Sequence, residues 1–282
     1  MPEQLIGCLT KTILKEYYRS VWDWFKDELI GHYVAIVFTY GQRRNDQTTG
    51  EPIVINTIDD IEHYVDLRGI EFDAELEFID EPGKTRVAVI DVDSYTSWER
   101  TFTVVEQVNA VLVKGGVKPY FVRTGSKSGL HIRWNLPCAV KFDVLKESIV
   151  NDVLMEVYAN WSDATKYMLD PSILNYDRAF KESSNAVYLD TAPLKSRAYV
   201  KSIGTVNAKT GSIARQIPFN RLRTFKPEPF DVCYEPIVLA PLLPSASTGV
   251  AVFAGGECKT TAKPAKITGK RAPSKSKAKK NA

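Results

Sequence analysis

The sequence predicts an α/β (α+β) protein: an RRM-like sheet packed with an N-terminal α/β module. Three observations carry this expectation. From Arg86 onward the pattern runs strand, helix, strand, strand, the opening of a sandwich with helices on one face of a sheet and the other face open. Ahead of it, helical periodicity gives way to β-branched and aromatic runs, the mark of a smaller α/β unit. The 282 residues are 44% hydrophobic and 25% charged, the composition of a globular protein long enough to bury a core.

The elements follow in order. Thr12 to Leu29 reads as a helix, because Ile13, Leu14, Tyr17, Tyr18, Val21, Trp22 and Phe25 recur at helical spacing and Gly31 can stop it. Its interleaved Lys and Arg fit the solvated side of a core-facing helix better than a nucleic-acid surface. His32 to Tyr40 is a buried strand, and Gly41 to Pro52 a polar loop. Ile55 to Leu67 is a short helix starting near Thr57, with acids in its first turn. A strand is expected at Glu75 to Phe78, then a turn at Glu81-Pro82-Gly83-Lys84. Strand Arg86–Asp93 leads to a helix from Ser97 to Lys114, ended by Gly115-Gly116. Strands at Val117–Thr124 and Leu130–Trp134 flank a Gly/Ser turn, and Lys141 to Trp161 is a second long amphipathic helix. Further strands are expected at Ala186–Asp190 and Arg197–Ile203. The expected organisation is an N-terminal module over 1–85, a core over 86–240, and a Pro-containing linker with a disordered basic tail over 241–282.

Bulk properties exclude several classes. No apolar run approaches the ~20 residues of a membrane-spanning helix, and Met1-Pro2-Glu3-Gln4 lacks a secretory pattern. An intracellular protein of the cytoplasm or nucleoid is expected, neither secreted nor membrane-bound. Cys8, Cys138, Cys233 and Cys258 form no C-x-x-C pair, so free, mostly buried thiols are expected rather than a zinc site or disulfide framework. The net charge of +3 hides an asymmetry: Lys259 to Ala282 holds nine Lys or Arg and no acid, leaving 28 basic against 34 acidic residues upstream, a net of −6. Such a tail would bind phosphate backbones with strong salt dependence, although a solvating or localisation role explains it as well.

Four elements carry chemistry. Asp91-Val92-Asp93 closes the apolar run Val87–Ile90, and strand alternation projects both carboxylates from one face. Two acids so close raise each other's pKa unless a cation holds them, and carboxylate oxygens suit a hard divalent ion, although an isolated pair of acids also closes strands harmlessly. Next comes Arg123-Thr124-Gly125-Ser126-Lys127-Ser128-Gly129-Leu130-His131. Its tight loop offers backbone N–H groups to an anion. In the strand that follows, Leu130, Ile132 and Trp134 share one face, and His131 and Arg133 the other. Third is Asp190, closing Ala186–Leu189. Fourth is Lys201 through Lys209-Thr210-Gly211, basic and turn-forming. Three carboxylates can hold two cations, while a His and several cations can hold a polyphosphate. That is the equipment for in-line phosphoryl or nucleotidyl transfer by two metals.

In this order, over about 120 residues, the motifs resemble the archaeo-eukaryotic primase superfamily, the small catalytic subunits of primase and the polymerase domains of bacterial end-joining ligases. The matching residues are Ile90-Asp91-Val92-Asp93, Ser128-Gly129-Leu130-His131, Leu189-Asp190, and Lys201 through Lys209-Thr210-Gly211. A weaker likeness to the end-joining domains extends to Leu9-Thr10-Lys11, Glu16-Tyr17-Tyr18 and Gly69-Ile70-Glu71-Phe72. The chain departs from the family in five ways: Gly125-Ser126 reverses the usual Ser-Gly order, Ser128 stands where Arg is common, Asn207 for a frequent His, Lys201 for a frequent Arg, and the zinc module of many primase small subunits has no counterpart. The resemblance implies a primase-polymerase fold and two Mg²⁺ or Mn²⁺ ions bound by Asp91, Asp93 and Asp190. One ion would activate the 3′-hydroxyl of the growing strand and the other hold the triphosphate. It also implies phosphate contacts from Ser126, Ser128, His131 and Lys209, with Lys201 and Arg133 as lesser candidates.

The function implied is template-dependent addition of NTPs or dNTPs, by a DNA primase or primase-polymerase, in DNA replication or repair. A gap-filling polymerase of non-homologous end joining is the alternative, and a two-metal nuclease or nickase a more distant one. End joining needs a 5′-phosphate pocket, which Lys11, Lys15 and Arg19 would supply, although an exposed helix face explains them equally. A nickase needs a nucleophile such as Tyr95. A non-catalytic nucleic-acid module would not line its open face with carboxylates, which repel phosphate. Expected partners are a DNA template and primer, an NTP or dNTP, and from the family a large primase subunit, a helicase, or a ligase with Ku.

Overall fold

The computed structural model describes residues 10–125, 129–159 and 186–225. Ser126, Ser128, Cys8, Cys233, Cys258, the end of the second long helix and the basic tail lie outside these residues.

Helix α1 (Lys11–Leu29) begins where the Thr10 hydroxyl accepts the Ile13 N–H at 3.3 Å. Its buried stripe of Leu14, Tyr17, Tyr18, Val21, Phe25 and Leu29 matches the expected periodicity. Strands β1 (Val34–Phe38) and β2 (Gly41–Arg43) follow, then α2 (Ile58–Asp66). A capping box starts α2: Thr57 Oγ1 accepts the Asp60 N–H at 3.3 Å, and the Asp60 carboxylate accepts the Thr57 N–H at 2.9 Å. Strand β3 (Gly69–Glu75) comes next, earlier than the strand expected at Glu75–Phe78. Its sequence GIEFDAE alternates strictly, with Phe72 and Ala74 in the α1–α2 core and Glu71, Asp73 and Glu75 on the other face.

Strand β4 (Lys84–Ser94) carries the D-x-D, and α3 (Trp98–Lys114) starts on the Ser97 cap. Strands β5 (Tyr120–Arg123) and β6 (Leu130–Lys141) pair antiparallel. The expected strand Leu130–Trp134 continues to Lys141 past a register shift opposite Thr85–Val87; Pro137, which cannot donate to the ladder, falls in that break. The second long helix runs as α4 (Phe142–Ser148), a π-helical segment (Ile149–Leu154) and α5 (Met155–Ala159). Strands β7 (Val187–Asp190), β8 (Tyr199–Lys201) and β9 (Arg215–Ile217) and helix α6 (Phe219–Leu222) complete the described residues.

The strands form two antiparallel sheets, β2-β1-β3-β8 and β7-β4-β6-β5-β9. Taken as the first four strands of the second unit, β4, β5, β6 and β7 lie in the order fourth-first-third-second, as an RRM-like sheet requires. One face packs Ile90, Val92, Ile132 and Phe121 against Val104, Val108 and Leu112 of α3 and Leu145 of α4. Two sequence expectations need amendment. Strand β8 pairs with β3, so the first sheet draws a strand from far beyond residue 85. The face opposite the helices is not open throughout, because His131 and Arg133 are only 6% and 3% exposed. Cys138, expected as a free thiol, is disulfide-bonded; the other cysteines all lie outside the described residues. Among the described residues no helix is long and apolar enough to cross a membrane.

Candidate active site

Strand register builds the site. Asp91 on β4 faces both Asp190 on β7 and His131 on β6, and the row continues through Val122 on β5 to Gln216 on β9. Residues directly opposite in antiparallel strands share a face, with Cβ atoms ~4.5–5.5 Å apart. Asp93, two residues on, joins the same face opposite Tyr188. The three carboxylates named from the sequence therefore occupy neighbouring sites at one sheet end, partly exposed, with the Asp91 side chain 30% accessible.

They do not yet converge. Among the described residues, no three His, Cys, Asp or Glu side chains form a group able to hold a metal ion. The local contacts explain this: Asp190 Oδ1 accepts the Ala192 N–H at 2.6 Å, and Asp91 Oδ1 stands 3.5 Å from His131 Nε2. As a donor set the three acids fit hard divalent ions, whose ligands are carboxylate oxygens.

His131 is buried against cations. Arg133 Nη2 lies 2.8 Å from His131 Nδ1 and donates to the Lys201 carbonyl at 2.5 Å. Arg133 Nη1 stands 3.6 Å from Glu28 Oε2, which accepts the Ile203 N–H at 3.0 Å. Burial, then the Arg133 guanidinium and the Lys201 ammonium, push the imidazole well below its ordinary pKa, so His131 is neutral. Burial raises the Glu28 carboxyl, with Arg133 opposing that shift.

The start of the glycine loop and the Lys209 turn, both named from the sequence, meet. Thr124 and Gly125 leave β5 at the sheet end that carries Asp93, and the Asn207–Gly211 turn docks against them. Asn207 Nδ2 donates to the Thr124 carbonyl at 3.2 Å, and Thr210 Oγ1 to the Gly125 carbonyl at 2.6 Å. Asn207 Oδ1 accepts the backbone N–H groups of Lys209 and Thr210 at 2.9 and 3.2 Å. Gly125 has φ +77°, and a Cβ there would stand 2.7 Å from the Ser212 carbonyl, so only glycine fits. Lys209 projects exposed from this turn. Lys201 is placed differently: its ammonium is paired with Glu71, whose second oxygen accepts the Ala208 N–H at 2.8 Å. Ser126 and Ser128 lie outside the described residues.

Motif reading did not single out Glu28, and it gave no role to Glu71 or Asn207, which it met only as members of family patterns. The alternating acids of GIEFDAE were the one available signal for Glu71. The cationic face of α1 is paired with α2: Lys15 meets Asp66 at 2.7 Å, Arg19 holds Glu62 at 2.5 and 2.7 Å, and Lys11 donates to the Asp66 carbonyl at 2.6 Å. That pairing fits the helix-face explanation of these residues. Tyr95 packs edge-on against Tyr188, ring centroids 5.8 Å apart. A cleft of about 1170 Å³ lies between the sheets, walled by Trp24, Glu28, Glu75, Tyr120, Arg133 and Asn135 among others; the three aspartates and His131 are not in its walls.

Two sheets joined through β8, with an acidic row beside docked glycine loops, form the framework of primase-polymerase nucleotidyltransferases. The polymerase domain of Mycobacterium tuberculosis ligase D, solved in complex with DNA, shares the fold at TM-score 0.60 with 13% identity, over 75% of this chain and 82% of that one. The AEP domain of the cyanophage S-2L primase-polymerase aligns at TM-score 0.40 with 13% identity, over 74% and 90%, too loosely to bear on the fold. No curated protein matches the chain. The model of the LigD primase-polymerase domain matches residues 23–192, and the chain belongs to that family.

Proposed function

We propose that this primase-polymerase extends a DNA-templated strand with NTPs or dNTPs, using Asp91, Asp93 and Asp190 to hold two Mg²⁺ or Mn²⁺ ions. The observation that carries the reading is the row in which Asp91 faces Asp190 across one ladder and His131 across the other, at the sheet end bearing the docked Gly125 and Asn207 loops. Bound there, the ions supply activation of the 3′-hydroxyl and charge compensation on the triphosphate. The chain's own groups do the rest. Lys209 and the backbone N–H groups of the glycine loop hold phosphate oxygens, with Ser126 and Ser128 assigned to the same task. His131 stands between the carboxylates and the phosphates. Lys201 acts through Glu71 in setting the Asn207 turn rather than by direct contact.

A second reading has a specific observation behind it. Membership of the LigD family favours gap filling at broken ends over synthesis without a primer. Extension of primed, gapped and unprimed templates, with NTPs and dNTPs separately and with Mg²⁺ or Mn²⁺, tests both. Incorporation only on gapped or primed DNA selects gap filling, and products on unprimed template select primase. Strand nicking with no incorporation on any substrate would sink the proposal.

A further inference from the structure

Arg133 is a guanidinium 3% exposed, on the face and strand of His131. A guanidinium carries five N–H donors and no acceptor. At 2.8 Å from His131 Nδ1 it can only donate, so Nδ1 presents its lone pair. The remaining hydrogen of the same nitrogen goes to the Lys201 carbonyl at 2.5 Å. Glu28, anchored to the Ile203 N–H, faces the other terminal nitrogen, so α1 and the β8 segment together clamp the group. In a neutral imidazole whose Nδ1 accepts, the proton sits on Nε2, and Nε2 is the nitrogen turned toward Asp91. Had Nδ1 met a carbonyl or carboxylate instead, the proton would sit there, and Nε2 would be an acceptor useless to a phosphate.

We propose that Arg133 is a positioning residue: it fixes His131 as the Nε2–H tautomer, aimed at the Asp91–Asp190 row, as a hydrogen-bond donor to a phosphate oxygen of the bound nucleotide. The recipient of that bond rests on the nucleotidyl-transfer reading; the tautomer does not. Arg133 therefore acts through His131 and not by its own contact with the triphosphate, both hydrogens of its nearest nitrogen being committed elsewhere.

The test joins a spectroscopic and a kinetic readout. The chain has three His, so ¹⁵N-histidine labelling with long-range ¹H–¹⁵N correlation above neutral pH separates the rings, and His131→Asn assigns the third. The native protein is expected to carry the His131 proton on Nε2. Arg133→Met leaves the Glu28 carboxylate facing a lost cation. Glu28→Gln/Arg133→Met removes both charges together and guards against misfolding, with melting temperature as the control. Both variants are expected to lose the single Nε2–H tautomer and to raise KM for the nucleotide about tenfold, the worth of one charge-assisted hydrogen bond, with DNA affinity unchanged. A native His131 protonated on Nδ1 overturns the proposal. So does an unchanged tautomer in the folded double variant, or a changed tautomer with the native KM. Should the native protein incorporate no nucleotide, the functional reading falls by itself, and the tautomer still decides the role of Arg133.

Discussion

Asp91 sits where three strands meet, facing an acid on one side and an imidazole on the other. Asp91→Asn keeps the shape and removes the charge that a divalent ion needs. Nucleotide incorporation is expected to fall by more than about a hundredfold while DNA affinity stays within a few-fold, since metal ligation and strand binding are separate. Filter binding beside a single-nucleotide extension assay checks this, and retained activity would remove Asp91 from the metal site. Glu75 titrates in a different way. Burial raises its carboxyl from 4.5 to about 7, with Glu77 adding to the shift and Tyr199 opposing it. Between those values the folded protein holds a proton the unfolded chain has released. Stability therefore falls as pH rises through that window, and the decline is complete above it. Glu75→Gln is expected to stabilise the protein by about 1–2 kcal/mol above pH 7, with no gain below pH 4.5, as urea unfolding at the two extremes would measure. Asp91 and Asp93 were legible in the sequence because alternation acts over two residues. Glu28 and Glu71 were not, because the groups they hold, the Ile203 N–H and Lys201, are more than a hundred residues away in the chain.

Among the elements, the sequence placed most helices and strands to within a few residues, because caps and periodicity are local. Thr57 with Asp60, and Ser97 before Trp98, announce helix starts that the structure contains. β3 was displaced by several residues for a physical reason. Acids are depleted in strands, and in GIEFDAE the buried Glu71 is met from elsewhere in the chain by Lys201 and the Ala208 N–H. The short β9 and α6 passed unassigned, too brief for a period to register. The Asn207 turn shows a departure from the family pattern taking on a structural task. Its amide accepts two backbone N–H groups and donates to the Thr124 carbonyl while buried. Asn207→Ala strands those groups and is expected to cost about 1–3 kcal/mol. Nucleotide KM should rise as the Lys209 turn loosens from Gly125. Chemical denaturation paired with steady-state kinetics reads both, and native stability would deny the turn this role.

For the whole molecule, β8 matters most: it forms an edge of the first sheet and lends the Lys201 carbonyl to Arg133 on the second, so a hydrogen bond ties the two sheets beside His131. The basic tail acts at the same scale through charge alone. Deleting residues 259–282 removes nine cations. DNA affinity at low salt should fall, and the salt dependence should become shallower by about 0.9 for each phosphate that the tail neutralises, with turnover on saturating DNA unchanged. Fluorescence anisotropy across a salt series measures it, and identical slopes would exclude a tether. The sequence alone was enough for the α/β class, for the order of the D-x-D, glycine-loop, Asp190 and Lys209 turn motifs, and for the faces of the β4 and β6 residues around Asp91 and His131. Periods of 2 and 3.6 and capping chemistry act within a few residues, so a linear reading captures them. It took the tertiary structure to establish which acids share a row with His131, that Lys201 answers Glu71, and that Arg133 Nη2 faces His131 Nδ1. Those outcomes depend on strand register and on buried groups meeting across long stretches of chain, which no local pattern records.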